Sequence, residues 1–277
     1  MIGEIASFSN ALANAFTNTL GGKSTQISSW RNTLRGSSSI AMAIICVVIL
    51  FNLNTITLQV VLIGIAAGFI GGLGLPFIYQ AFSIGSVSFV SPVVALVQSF
   101  NLILFAVVIK NESISWTFPI ATLLACLGLF LASRTSASHQ KASLKVFALT
   151  TAAACCFTGF SLLMTEIDQS QIIAALFGAR IGVVLVSLLF SPKRDEKSIS
   201  TGWKKYALFS GSCEMVANLL FMVAITNLEL SKVGVFMASA PALSALIAIK
   251  LLKQRPSIAN WFGIAATSTA LAIIALN

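Results

Sequence analysis

The chain has 277 residues, 57% hydrophobic and only 9% charged, with a mean hydropathy of +0.95. That composition excludes an ordinary soluble domain, and apolar runs of bilayer-spanning length recur along the whole sequence. The formal charge of +9 does not point to nucleic acid, because Lys and Arg gather at the ends of apolar runs, where they set topology and meet anionic headgroups.

Ten candidate spans follow in order, at roughly 3–21, 28–51, 57–83, 87–109, 116–133, 146–164, 171–190, 204–226, 232–252 and 258–276. The first carries several amides and no basic start, so it reads as a retained helix rather than a cleavable signal. Its Asn10, Asn14 and Asn18 recur every four residues, with Ser7 and Thr17 beside them. In the third span Gly64, Gly68, Gly72 and Pro76 share one face, which suits backbone-to-backbone helix contact next to a pathway. Tyr79 and Gln80 follow, either as lining groups or as core positions. The fourth span has Ser88, Ser91, Gln98 and Asn101 along one side, and Pro92 as a candidate hinge.

The run from Arg134 to Lys145 is the longest polar stretch outside any span and links two halves, 1–133 and 146–277. Span six has Thr151, Thr158 and Thr165 at intervals of seven, with Ser161 adjacent. Span seven holds Arg180, which either pairs with an inward acceptor such as Glu214 or snorkels. Span eight has Ser210, Glu214 and Asn218 four apart. Glu214 is the one acid well inside a span, fitted to a coupling proton or a substrate amine. Pro241 is a second candidate hinge, in span nine, and spans five and ten are the blandest.

Amides and hydroxyls facing lipid would be costly, so the four polar stripes should turn inward and define a substrate pathway; interhelical hydrogen-bond glue is the bland alternative. The five cysteines have no disulfide or zinc spacing and read as small buried hydrophobes. His139, the single histidine, falls in the linker. No metal-ligand cluster, nucleophile–base set or phosphate loop is visible, so the expectation is no enzyme, no metal and no cofactor.

The halves echo each other at an offset of about 143–145 residues: Ala67-Gly68 with Ser210-Gly211, Ala81 with Ala224, Trp116 with Trp261. An odd number of spans in each half would insert the second upside down, as in inverted-repeat transporters. The basic residues lie mostly after spans one, five, seven and nine, and the positive-inside rule makes that face cytoplasmic and leaves both termini outside.

These features resemble the EamA-type transporters of the drug/metabolite transporter superfamily. The residues that carry the likeness are Asn14-Ala15-Phe16, Arg31, Tyr79-Gln80-Ala81-Phe82, Ser91-Pro92, Lys110-Asn111-Glu112, Gly128 and Asn260-Trp261-Phe262-Gly263. The resemblance implies an all-α integral membrane protein of ten helices in two inverted five-helix repeats. It also implies secondary transport, commonly export, of amino acids or other small metabolites through a cavity lined by spans one, three, four, six, eight and nine. Two features depart from it. Lys253-Gln254-Arg255 stands where the second half should echo Glu112, and the charges oppose the cytoplasmic termini usual in the family.

The expectation is therefore a multi-pass exporter in the inner or plasma membrane, working by alternating access, with a small-molecule substrate and the option of proton coupling. A lipid or lipid-linked sugar flippase and a non-transporting membrane sensor or assembly module are the alternatives.

Overall fold

The computed structural model describes residues 1–53, 56–85, 87–112, 144–192, 201–237 and 258–275, with isolated positions between 119 and 131 and at 243 and 247. Nine α-helices lie among the described residues: α1 (Ile2–Ile27), α2 (Trp30–Ile49), α3 (Leu58–Ile84), α4 (Val87–Val108), α5 (Leu144–Met164), α6 (Ile172–Leu189), α7 (Trp203–Ile225), α8 (Leu230–Met237) and α9 (Ile258–Ala275). They coincide with spans one to four, six to eight and ten, and with the first residues of span nine. Most of span five, the hinge candidate Pro241, His139 and most of the polar linker fall outside the described residues.

One boundary moves by several residues. The first helix continues to Ile27 rather than stopping near residue 21. Gly21-Gly22-Lys23-Ser24-Thr25 reads as a helix terminus, but tertiary contacts satisfy it. A side chain on Gly21 would meet Ser210 and Tyr79, and one on Gly22 would meet Val87. The Ser24 hydroxyl lies 2.9 Å from that of Thr33, and Thr25 Oγ1 donates to the Gly21 carbonyl at 2.9 Å. Ser29 then caps α2, its hydroxyl accepting from the Asn32 N–H at 3.1 Å.

Five of these helices, α2, α3, α5, α6 with the 3-10 turn before it, and α7, are long and apolar enough to cross a bilayer. Their outward side chains agree: Leu62, Phe69, Leu185, Phe209 and Val216 stay exposed on the bundle surface. Such a surface is stable against acyl chains rather than water. The same argument corrects the expectation of buried cysteines. Cys46 and Cys155 are exposed on the bundle surface, since an apolar position in a membrane protein need not face other protein.

Packing crosses between the halves of the chain. α3 lies against α6 and α5, and α1 and α2 lie against α7. The glycine face of α3 is the closest of these seams. A Cβ on Gly64 or Gly68 would strike the backbone carbonyl of Ala175 or Ala179, and one on Gly178 or Gly182 would strike that of Val61 or Ile65. Small residues on both helices thus allow dispersion contact along the whole crossing. The face beside it, with Gly71 and Gly74, meets Phe160 and Phe157 of α5.

The bundle has two ends of opposite charge. At one, Gly3 abuts Asn227 and Leu228, Lys110 Nζ binds Glu166 Oε1 at 2.7 Å, and Glu112 meets the start of α8. At the other, Ser24 meets Thr33 and the Trp203 carbonyl, Trp30 packs on Phe190, and Gly85 meets Val146. Among the described residues the first end carries Glu4, Glu112, Glu166, Asp168 and Glu229 against Lys110 and Lys232, whereas the second carries Lys23, Arg31, Arg35, Lys145, Lys204 and Lys205 without an acid.

At the acidic end each residue of Lys110-Asn111-Glu112 has a separate task. Asn111 takes a left-handed conformation, φ 52°, which asparagine tolerates better than most residues. That turn ends α4 and brings the Glu112 N–H back to the Ala106 carbonyl at 3.0 Å. The Glu112 carboxylate then accepts the N–H groups of Leu230 and Ser231 at 3.1 and 3.0 Å, capping α8 from the other half of the chain. The hydrogen bond and charge of Lys110 hold the Glu166 carboxyl below its usual range, so the link is ionised at neutral pH.

Candidate functional site

A cavity of about 100 Å³ lies between α1, α3, α4, α5, α6, α7 and α8. Its polar lining includes Asn10, Asn14, Thr17 and Asn18 from α1, Tyr79 from α3 and Gln98 from α4. Ser161 of α5, Arg180 of α6 and Glu214 and Asn218 of α7 complete that lining. The helices are about 1.5 Å per residue long, so position along a helix reports depth. Asn14, Gln98, Arg180 and Glu214 each fall at or next to the middle of their helices, which places the cavity at half-depth of the bundle.

The centre of the site is an ion pair. Arg180 Nη1 donates to Glu214 Oε1 at 2.7 Å, with the arginine side chain 1% exposed and the glutamate 12%. This selects pairing over snorkelling for Arg180. Among the described residues the pair is engaged through one oxygen and one nitrogen only: Arg180 Nε and Glu214 Oε2 are buried and have no hydrogen-bond partner there. Two opposite charges at this depth are costly to bury unless matched, and a charge-assisted hydrogen bond of this length supplies the match.

The amide stripe of α1 divides its tasks. Asn10 Nδ2 donates to the Ala217 carbonyl of α7 at 2.6 Å, which fixes its Oδ1 to accept from Asn14 Nδ2 at 3.2 Å. Asn18 and Asn218 line the cavity without a hydrogen bond to another of the described residues. Toward the basic end the wall closes. Tyr79 is buried, and its hydroxyl donates to Ser37 Oγ at 3.2 Å.

Five residues expected on the pathway lie elsewhere. Ser210 is buried where α1 meets α7, its hydroxyl donating to the Thr17 carbonyl at 2.9 Å. Asn101 Nδ2 donates to Thr158 Oγ1 at 3.4 Å, joining α4 to α5 away from the cavity wall. Ser91 is buried, its hydroxyl unpartnered among the described residues, and Gln80 is half-buried outside the lining. Pro92 lies within α4. Conversely, Phe157, Phe160, Phe221 and Met237 form an apolar wall that sequence reasoning missed. Phe157 precedes Ser161 by four residues and Phe221 follows Glu214 by seven, so helical spacing from the polar positions could have found both. Met237 carries no such signal.

Residues 141–276 match the model of the EamA-like transporter family. No curated protein matches the chain. A solved structure described only as "Crystal structure of protein" superposes with a TM-score of 0.77 at 15% identity, covering 99% of this chain and 96% of that one. That likeness concerns the fold.

Proposed function

Through residues 141–276 the chain belongs to the EamA-like transporter family, membrane transporters of the drug/metabolite transporter superfamily, and from that premise we propose that it exports amino acids or other small polar metabolites by alternating access. The observation that carries this reading is the half-depth cavity, polar on the faces of α1 and α7 and centred on the Arg180–Glu214 pair. A transporter must replace the hydration shell of its solute within the bilayer, and amides and paired charges do so. Asn18 and Asn218 argue against glue as the whole account, because they line the cavity without a hydrogen bond to another of the described residues.

Of the two roles open to Glu214, coupling proton or substrate charge, the ion pair favours the second. A protonated Glu214 would leave Arg180 as an uncompensated charge at half-depth. The basic end would be cytoplasmic by the positive-inside rule, placing the N-terminus and the acidic end outside. The two halves, 1–133 and 146–277, would rock against each other, with Pro92 and Pro241 as hinge candidates.

The test is efflux from cells expressing the protein, with a panel of labelled amino acids and other small polar metabolites. Saturable export is expected, reduced about tenfold or more by Asn14→Leu or Glu214→Gln, since each removes a polar contact from the pathway. Absence of flux for every solute would reject transport. Reconstituted vesicles with and without an imposed pH gradient then separate proton-coupled from uncoupled movement.

A further inference from the structure

We propose that Lys110-Asn111-Glu112 is a latch that ties the two halves of the chain together at the acidic end, and that it releases whenever the cavity opens to that side. The inference rests on the transport reading above and adds to it the contacts that hold one end shut.

Three observations carry it. One turn makes two ties. The Lys110 ammonium donates to Glu166 Oε1, just past the end of α5, at 2.7 Å. The Glu112 carboxylate accepts the Leu230 and Ser231 N–H groups at the start of α8, one on each oxygen. α4 belongs to the first half and α5 and α8 to the second, so both ties cross between halves. The left-handed Asn111 lies between them, and the return of the Glu112 N–H to the Ala106 carbonyl fixes the turn on the end of α4. A displacement of α4 away from the second half therefore loosens both ties together.

The latch also joins the right helices. α4, α5 and α8 all line the cavity, through Gln98, Phe157 and Met237 among others. The start of α1, a fourth lining helix, packs at the same end on Asn227 and Leu228, directly before α8. Rocking of one half against the other cannot widen this end while α4 stays tied to α5 and α8. Finally, the tie is of a strength that releases. The Lys110 and Glu166 side chains are 39% and 63% exposed, and an ion pair so open to solvent is weak enough to break and reform. The basic end is held differently. Among its described residues there is no acid, and α1 meets α7 toward that end through the neutral hydroxyls of Ser24 and Ser210. The second half reads Lys253-Gln254-Arg255 at the repeat offset, without a carboxylate. Changing the latch charges should therefore act on one end alone.

Spin-label distances in the purified full-length protein in detergent test this. In a cysteine-free background, labels at Leu104→Cys of α4 and Asp168→Cys beyond α5 occupy exposed positions on the two halves. Lys110→Glu sets two carboxylates against each other and is expected to lengthen the separation by roughly 5 Å or more, the travel of one helical turn. Adding Glu166→Lys should restore the original distance, because the swapped pair rebuilds the tie. Glu112→Gln, which keeps one carbonyl acceptor of two, should shift the distance in the same direction as Lys110→Glu. A mere folding staple would lower the melting temperature and leave the distances unchanged. That result would overturn the proposal, as would a swap that fails to restore the distance. In vesicles, bridging Lys110→Cys to Glu166→Cys with a short bis-maleimide should abolish the export that the unbridged pair supports, and unimpaired export through the bridged protein would also overturn it. If the distances shift as expected but vesicles move no solute, the transport reading fails and the latch stands. If vesicles export and the distances do not move, the latch fails alone.

Discussion

Arg180 and Glu214 were visible in the sequence as charges inside apolar runs, and their pairing was one of two options open to Arg180. The choice depended on depth and rotation, which helical periodicity within one span does not report. Ser210 shows the same limit. It shares a helix face with Glu214 and Asn218, but one turn nearer the basic end α1 closes onto α7, and the hydroxyl bonds to Thr17 instead of facing open space. A test of the pair follows from the asymmetry between removing one charge and removing both. Arg180→Ala leaves a buried carboxylate unmatched and should destabilise the protein by about 3–5 kcal/mol. Adding Glu214→Gln to that variant should recover a large fraction of the loss, seen as a rise in melting temperature in detergent. A double variant no more stable than Arg180→Ala would show that the two groups do not interact.

At the scale of elements, nine expected spans correspond to helices among the described residues, and five of these are apolar runs long enough to cross a bilayer. The glycine spacing of α3 was also legible, but not its partner. Gly64 and Gly68 meet the backbone of α6, and the cavity lies on the adjacent face with Gly71, Leu75 and Tyr79. The tasks of Lys110, Asn111 and Glu112 were illegible, since each depends on a contact with Glu166, on a left-handed turn or on the start of α8. The α3–α6 seam makes a quantitative contrast possible. A Cβ at Gly68 would overlap the Ala179 backbone, so Gly68→Ala must push α3 and α6 apart and should cost about 1–3 kcal/mol. At Gly234 the nearest atom is Ile103 Cγ1, 3.2 Å away, and a side chain yields more readily than backbone. Gly234→Ala, favoured by helix propensity, should therefore stay within about 1 kcal/mol of the parent. Equal losses in thermal unfolding of the two variants would contradict the backbone contact as the cause.

For the whole molecule, the proposed inversion of the halves draws support from packing that repeats at the same offset as the sequence echo. Gly68 of α3 sits on the Ala179 carbonyl of α6, and Gly211 of α7 sits on the Ser37 carbonyl of α2. Ala81 and Ala224, another echoed pair, are both fully buried. Exchange of the halves turns α3 on α6 into α7 on α2, and α1 on α7 into α5 on α3, and all four contacts occur. Orientation depends instead on charge, because a bundle with two similar halves has no other strong preference for one side. The described residues sort almost completely, six bases at one end and five acids with two bases at the other. Single cysteines in a cysteine-free background test this directly. Asp168→Cys and Lys204→Cys occupy exposed positions at the acidic and basic ends. In intact cells a membrane-impermeant maleimide should label the first and not the second, and permeabilised cells should label both. The reverse pattern would place the basic end outside, and would mean that the Lys and Arg residues between the spans do not set the insertion of this chain.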